Sequence, residues 1–286
     1  MSRKGEPPWG RVLRLLAIAC LGCVVGCVLP GCATPVQRAA RIAAAFGFER
    51  FVVAGEPFEH LVYVKPANRP VGGFHVYIEG DGTPWLTPYQ VALDPTPRQP
   101  LMLKLMRLDP APSLYLGRPC YFGLMKHCES GYWTHGRYSK TVVDSMVAAL
   151  KGIQSRLGWR GSVTLIGYSG GGALAMLMAP RVKDTSAVVT LAANLDVDAW
   201  TKLHGYSPLF DSMNPAVEPP LSSRIRQVHM VGGRDRNVPA RITVAGLTHQ
   251  RNAQIVRFPD YDHHCCWDTV WRSILDRLAV EAESAR

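Results

Sequence analysis

The chain has 286 residues, 47% of them hydrophobic, and a formal net charge of +10. That length and composition, with no low-complexity tract, exclude a disordered or fibrous protein and suit one substantial core. Arg and Lys are dispersed and not massed in one run, which argues for a solvated surface and against nucleic-acid binding.

The N-terminus stands apart from the rest. Arg3, Lys4, Arg11 and Arg14 precede an apolar run from Leu15 to Leu29, too short for an ordinary membrane span and laid out like a signal peptide. A short uncleaved anchor is the alternative. Leu29-Pro30-Gly31-Cys32 resembles a bacterial lipobox, with Val24-Val25-Gly26-Cys27 as a competing match. Cys32 is preferred because it leaves a full-length apolar region and is followed by Ala33-Thr34-Pro35. The expected division is a lipoprotein signal peptide over 1–31, a tether and short helix over 32–47, and the main domain over 48–286. Residues 1–31 hold four basic residues and one acid, which leaves about +7 on the remainder. Acylation of Cys32 by more than one chain would give a stable anchor. Ala33 in place of Asp after the cysteine leans toward an outer membrane, with the protein facing the periplasm.

From there a helix is expected over Val36–Phe46 and strands over Phe58–Lys65, Phe74–Glu79 and Ser113–Gly117. The loop after the last of these carries Tyr121, Phe122, Tyr132, Trp133 and His135, which either line a pocket or pack. Tyr138–Leu157 has an apolar stripe at helical spacing, from Val142 and Val143 to Ile153 and Leu157.

Ser162–Ser169 (Ser-Val-Thr-Leu-Ile-Gly-Tyr-Ser) is a buried strand ending in Gly167-Tyr168-Ser169-Gly170-Gly171, followed by small residues that begin a helix. This is the form of a nucleophile elbow, a serine on a sharp strand-to-helix turn flanked by glycines so that the backbone can bend. Strands over Ala187–Ala193, Gln227–Gly233 and Ala253–Phe258 follow. The first runs into Asp196, the second into Asp235, the third into His263 and His264. A helix with Trp267, Trp271, Ile274 and Leu275 on one face closes the chain. Ser169, Asp235 and His263 thus fall in the order Ser, acid, His, each at a strand end. Asp196 is the rival acid. His264 is expected to point away from His263 if the local chain is extended. Trp200–Pro220 is expected to make a small excursion over the site.

Four cysteines lie beyond Cys32: Cys120, Cys128, Cys265 and Cys266. In an exported protein they suggest two disulfides of undetermined pairing. The run His263-His264-Cys265-Cys266 is too contiguous for a zinc site. Gly170-Gly171-Gly172-Ala173-Leu174-Ala175 also fits a dinucleotide fingerprint, but mid-chain, and with Asn194 where an acid would be wanted.

Together with Ile78-Glu79-Gly80-Asp81-Gly82, Asp94-Pro95-Thr96-Pro97, Arg118-Pro119-Cys120, Trp133-Thr134, Arg137-Tyr138-Ser139 and Asp262-His263-His264-Cys265-Cys266-Trp267, these features resemble bacterial α/β-hydrolase-type proteins over roughly Phe48 to the C-terminus. The resemblance implies an α/β fold, with a mostly parallel sheet and helices on both faces. It implies a Ser169–His263–Asp235 triad working through an acyl-enzyme, with oxyanion donors at the Asp81 and Gly170 backbone N–H groups. Neither a metal nor an organic cofactor is called for. The expected substrate is an ester or other acyl compound, small or lipid-like. Acyl transfer at the same site and a non-catalytic envelope lipoprotein on a hydrolase scaffold are the alternatives.

Overall fold

The computed structural model describes residues 33–66 and 72–284. The expected signal peptide, Cys27 and Cys32 lie outside the described residues. So does most of the turn between the second and third strands.

Ten strands and seven α-helices are formed among the described residues. In chain order they are α1 (Pro35–Ala45), β1 (Glu49–Ala54), β2 (Glu59–Val64), β3 (Gly73–Ile78), a small hairpin of β4 (Trp85–Thr87) and β5 (Gln90–Val91), α2 (Leu101–Leu108) and β6 (Ser113–Leu116). Then come α3 (Lys140–Leu157), β7 (Ser162–Tyr168), α4 (Gly170–Met178), β8 (Thr185–Leu191) and α5 (Val197–His204). The chain ends with β9 (Arg226–Gly232), α6 (Ala240–Ala245), β10 (Ala253–Phe258) and α7 (Trp267–Ser284).

Eight strands make one sheet in the order β1-β2-β6-β3-β7-β8-β9-β10. β2 runs antiparallel to both β1 and β6, and every other pairing is parallel. The central strands bury residues of both parities, as Leu165 and Ile166 on β7 do. Both faces must therefore be covered by helices. α4 is buried along its whole length, which explains why its sequence holds only Gly, Ala, Leu and Met. α3 shows the expected one-sided stripe, opened by the Ser139 cap on the Val142 N–H and closed by Gly158 at φ 65°.

Several elements differ from expectation, among them β1, α2 and α5. β1 adds an edge strand whose Glu49-Arg50 start hides it. α2 has no local capping residue, because its N-cap is Pro100. Its Met102 N–H donates instead to Glu79 Oε2 at 3.0 Å, a cap supplied from the end of β3. α5 occupies the start of the stretch expected to be irregular. Its cap is Asp196, whose carboxylate accepts from Ala199 N–H at 3.1 Å.

Because β3, β6, β7, β9 and β10 run the same way, the segments after their C-terminal ends collect along one edge of the sheet. These are the segments that carry Asp81, Arg118, Ser169, Asp235 and His263.

Candidate active site

Ser169 joins β7 to α4 at φ 51° and ψ −122°, a left-handed backbone that a non-glycine residue holds only when its surroundings impose it. What imposes it is the closeness of α4 to the sheet. A Cβ on Gly171 would lie 2.3 Å from the Ile78 carbonyl oxygen, and one on Gly170 would lie 2.0 Å from Asp81 Oδ1. The glycines flanking the serine are thus required by contact as well as by the bend.

His263 Nε2 lies 3.1 Å from Ser169 Oγ, and His263 Nδ1 lies 2.8 Å from Asp235 Oδ2. The pairing with a carboxylate puts the ring proton on Nδ1 and leaves Nε2 to accept from the serine hydroxyl. The other oxygen of Asp235 accepts from the N–H groups of Asn237 and Val238, both at 2.8 Å, so its own loop fixes the carboxylate. The His263 carbonyl takes the Tyr168 hydroxyl at 3.0 Å and the Trp267 indole N–H at 3.1 Å. Both Asp235 and His263 are buried.

Asp196, the rival acid, is occupied elsewhere: besides capping α5 it accepts from Asn214 Nδ2 at 3.3 Å. His264 does not point away. Its ring centroid is 5.1 Å from that of His263, and its Nδ1 is 3.0 Å from the Tyr168 hydroxyl. The reason is that the chain there is not extended. Asp262 Oδ1 accepts from both His264 N–H (2.8 Å) and Cys265 N–H (2.7 Å), and this turn turns consecutive side chains toward one side. Burial first, then the neighbouring His263, lowers the His264 pKa.

A cavity of about 1010 Å³ opens over Ser169 and His263. Its walls include Trp85 and Tyr89 from the β4–β5 hairpin and Trp200, Tyr206 and Leu209 from α5 and the segment after it. The stretch expected to lie over the site does so, with a helix at its start. The aromatic loop after β6 takes the other role: Tyr121, Phe122 and Trp133 are core residues, and only His135 of that set reaches the cavity. Asn194 also lines it. Its amide is buried and has no hydrogen-bond partner among the described residues.

Gly80-Asp81-Gly82 follows β3 beside the serine. No described residue accepts from the Asp81 or Gly170 N–H groups. The Asp81 carboxylate, which sequence reasoning left unused, is the centre of a buried cluster: Arg118 Nη1 at 2.5 Å, Arg137 Nη1 at 2.9 Å and the Tyr138 hydroxyl at 2.7 Å. Burial alone would raise its pKa, but Arg137 and Arg118 outweigh that and hold it at about 2. Glu79, one residue before Gly80, is pushed up to about 7 by burial. Three of the sequence blocks that carried the resemblance therefore meet at one carboxylate.

The cysteines pair locally, Cys120 with Cys128 and Cys265 with Cys266. The loop after β6 and the histidine loop are not tied together.

No protein-family model matches the chain, and no curated protein resembles it in sequence. Solved structures do resemble it in fold. A bacterial membrane phospholipase A, described as a virulence factor, superposes with a TM-score of 0.57 at 13% identity, over 96% of this chain and 98% of that one. An esterase from the hyperthermophilic archaeon Pyrobaculum calidifontis gives 0.58 at 12%, covering 87% and 92%. Est1E from Butyrivibrio proteoclasticus gives 0.55 at 12%, covering 82% and 99%. At such identities the likeness establishes the fold, which is that of the α/β-hydrolases.

Proposed function

We propose that this chain is a serine hydrolase of acyl esters, with Ser169 as nucleophile, His263 as general base and acid, and Asp235 as the group that orients the imidazole. The observation that carries the reading is the unbroken hydrogen-bond chain from Ser169 Oγ through the ring of His263 to Asp235, at the floor of a large cavity.

The serine oxygen attacks the acyl carbon while its proton passes to His263 Nε2. The tetrahedral oxyanion is taken up by the Asp81 and Gly170 N–H groups, and a donor of this kind is worth roughly 2.7–4 kcal/mol. Collapse expels the alcohol, which takes the proton from His263. Water then attacks the acyl-enzyme carbonyl while its proton passes to His263, and collapse of the second tetrahedral state releases the acid as His263 returns that proton to Ser169 Oγ.

The cavity is larger than a short ester needs. Leu86, Tyr89 and Tyr206 on its walls are 49%, 96% and 54% exposed, an apolar rim suited to a lipid-like acyl chain. The phospholipase and esterases of similar fold support an ester as the scissile bond. The address belongs to the same reading. Residues 1–31 are a signal peptide, Cys32 carries the lipid, and the domain from residue 48 works at the bacterial envelope, on the periplasmic side of the outer membrane. Cys32→Ser is expected to block cleavage there and to change the membrane fractionation, because the acyl chains supply most of the anchoring.

Ser169→Ala is expected to abolish turnover of short p-nitrophenyl esters while changing the melting temperature little. Wild-type turnover in that variant would overturn the assignment.

A further inference from the structure

The cluster around Asp81 is built at some expense. Arg118 and Arg137 are 2% and 5% exposed, and together they bring two positive charges to one carboxylate. Buried ion pairs of this kind are seldom more stabilising than apolar packing of the same volume, so stability alone is a poor reason for one. Its position offers another reason. Asp81 is held at both ends: its carboxylate by Arg118, Arg137 and Tyr138, and its carbonyl oxygen by the Tyr121 hydroxyl at 2.8 Å.

The holders are themselves fixed. Arg118 Nη2 donates to the Arg137 carbonyl at 3.0 Å, and Arg137 Nε donates to the Thr134 carbonyl at 2.6 Å. Asp81 Oδ1 and the Tyr138 hydroxyl stand where a side chain on Gly170 would go, 2.0 Å and 2.4 Å from the position of a Cβ there. The residues that bear the two oxyanion donors are therefore the two residues this cluster grips. A backbone N–H is aimed only as well as the residue that bears it is held, and donors to an oxyanion act by being aimed in advance.

We propose that Asp81, Arg118, Arg137 and Tyr138 form the positioning device of the oxyanion site, holding the Asp81 and Gly170 N–H groups on target and placing a surplus positive charge beneath them. Arg137 lines the cavity floor and leaves Nη2 without a partner among the described residues, so its charge is not fully taken up by Asp81. These are positioning residues, and their effect is felt only when negative charge develops on the substrate oxygen. The proposal rests on the serine-hydrolase reading.

The test compares Arg137→Gln, Arg137→Lys and Tyr138→Phe with the wild-type chain, using an acyl p-nitrophenyl ester and a fluorophosphonate that mimics the tetrahedral state. Arg137→Gln is expected to lower kcat about 10–100-fold, with KM within about threefold, and to slow phosphonate inactivation by a similar factor. Arg137→Lys restores part of both losses. Tyr138→Phe, which removes one hydroxyl and keeps the ring, lowers kcat about 3–10-fold. A folded Arg137→Gln protein with wild-type kcat overturns the proposal, as does a loss confined to KM with phosphonate inactivation unchanged. If Arg137→Gln does not fold, the lysine and phenylalanine variants decide on the same ratios. Labelling of the wild type separates the two claims. A folded wild type that resists the phosphonate overturns the hydrolase reading and this proposal with it, whereas a labelled wild type with indifferent variants overturns this proposal alone.

Discussion

On one side of Ser169 lie Asp235 and His263, each a few residues past the end of its own strand and each steadied by its own loop. On the other side lies Asp81, whose partners Arg118, Arg137 and Tyr138 come from 37, 56 and 57 residues away. The first side is assembled by topology. Once β7, β8, β9 and β10 lie side by side and parallel in that order, the loops that trail β7, β9 and β10 must meet. The second side is assembled by side chains that meet across three segments, and no strand order alone brings them to one carboxylate. Local assembly leaves a trace in the sequence, and assembly by distant side chains leaves only separate fragments.

The largest losses are expected on the first side. Asp235→Asn and His263→Ala are each expected to lower kcat by about four orders of magnitude, as where tautomer control or the base itself is lost. Asp196→Asn and His264→Ala, which sit in a helix cap and on the cavity wall, are expected to lose less than about tenfold by the same reasoning. Steady-state kinetics on one ester measures all four. A larger loss at Asp196 than at Asp235 would move the acid to the strand next to the nucleophile.

Gly170 joins the two sides, and Gly170→Ala tests whether they are coupled. Its methyl group would meet Asp81 Oδ1 and the Tyr138 hydroxyl, so overpacking of about 1–3 kcal/mol is expected. Urea unfolding and kcat are expected to fall together. A variant with wild-type values of both would mean that the carboxylate does not bear on the elbow.

The smallest effect is expected at Glu79, which caps α2 behind the Gly80-Asp81-Gly82 loop. Burial raises its pKa from 4.5 to about 7, so the folded state holds a proton that the unfolded state releases. The contribution of this group to stability is thus at its best below about pH 4.5 and is lost as the pH rises toward 7. Glu79→Gln removes that slope. Relative to wild type, the variant is expected to be more stable at pH 8 than at pH 5 in urea melts, and an unchanged difference would contradict the raised pKa.

The same division explains what could be read in advance. The elbow, the strand ends, the long α3 stripe and the closing α7 face all declare themselves by local period and by turn residues. α2 did not, because its cap comes from Glu79 and its eight residues, Leu-Met-Leu-Lys-Leu-Met-Arg-Leu, offer little polar alternation. The aromatics after β6 could not be divided between cavity and core without the structure. Trp133 is taken inward by its indole bond to the Ala92 carbonyl at 3.0 Å, whereas Trp85 and Tyr206, from segments with no marked pattern, reach the cavity. The sequence points to Asp81 for its N–H alone. The partners of its carboxylate, Arg118 and Arg137, stand in two separate blocks and meet it only in the fold.

The central claim is that Ser169 is a nucleophile primed by His263. Its most direct measurement is covalent labelling of the folded chain by a fluorophosphonate, with the modified residue identified by mass spectrometry of the peptides. One adduct per chain is expected, on Ser169, formed rapidly in the wild type, greatly slowed in His263→Ala and absent in Ser169→Ala. A folded protein that gives no adduct, or one carried by a different residue with Ser169 untouched, would contradict it.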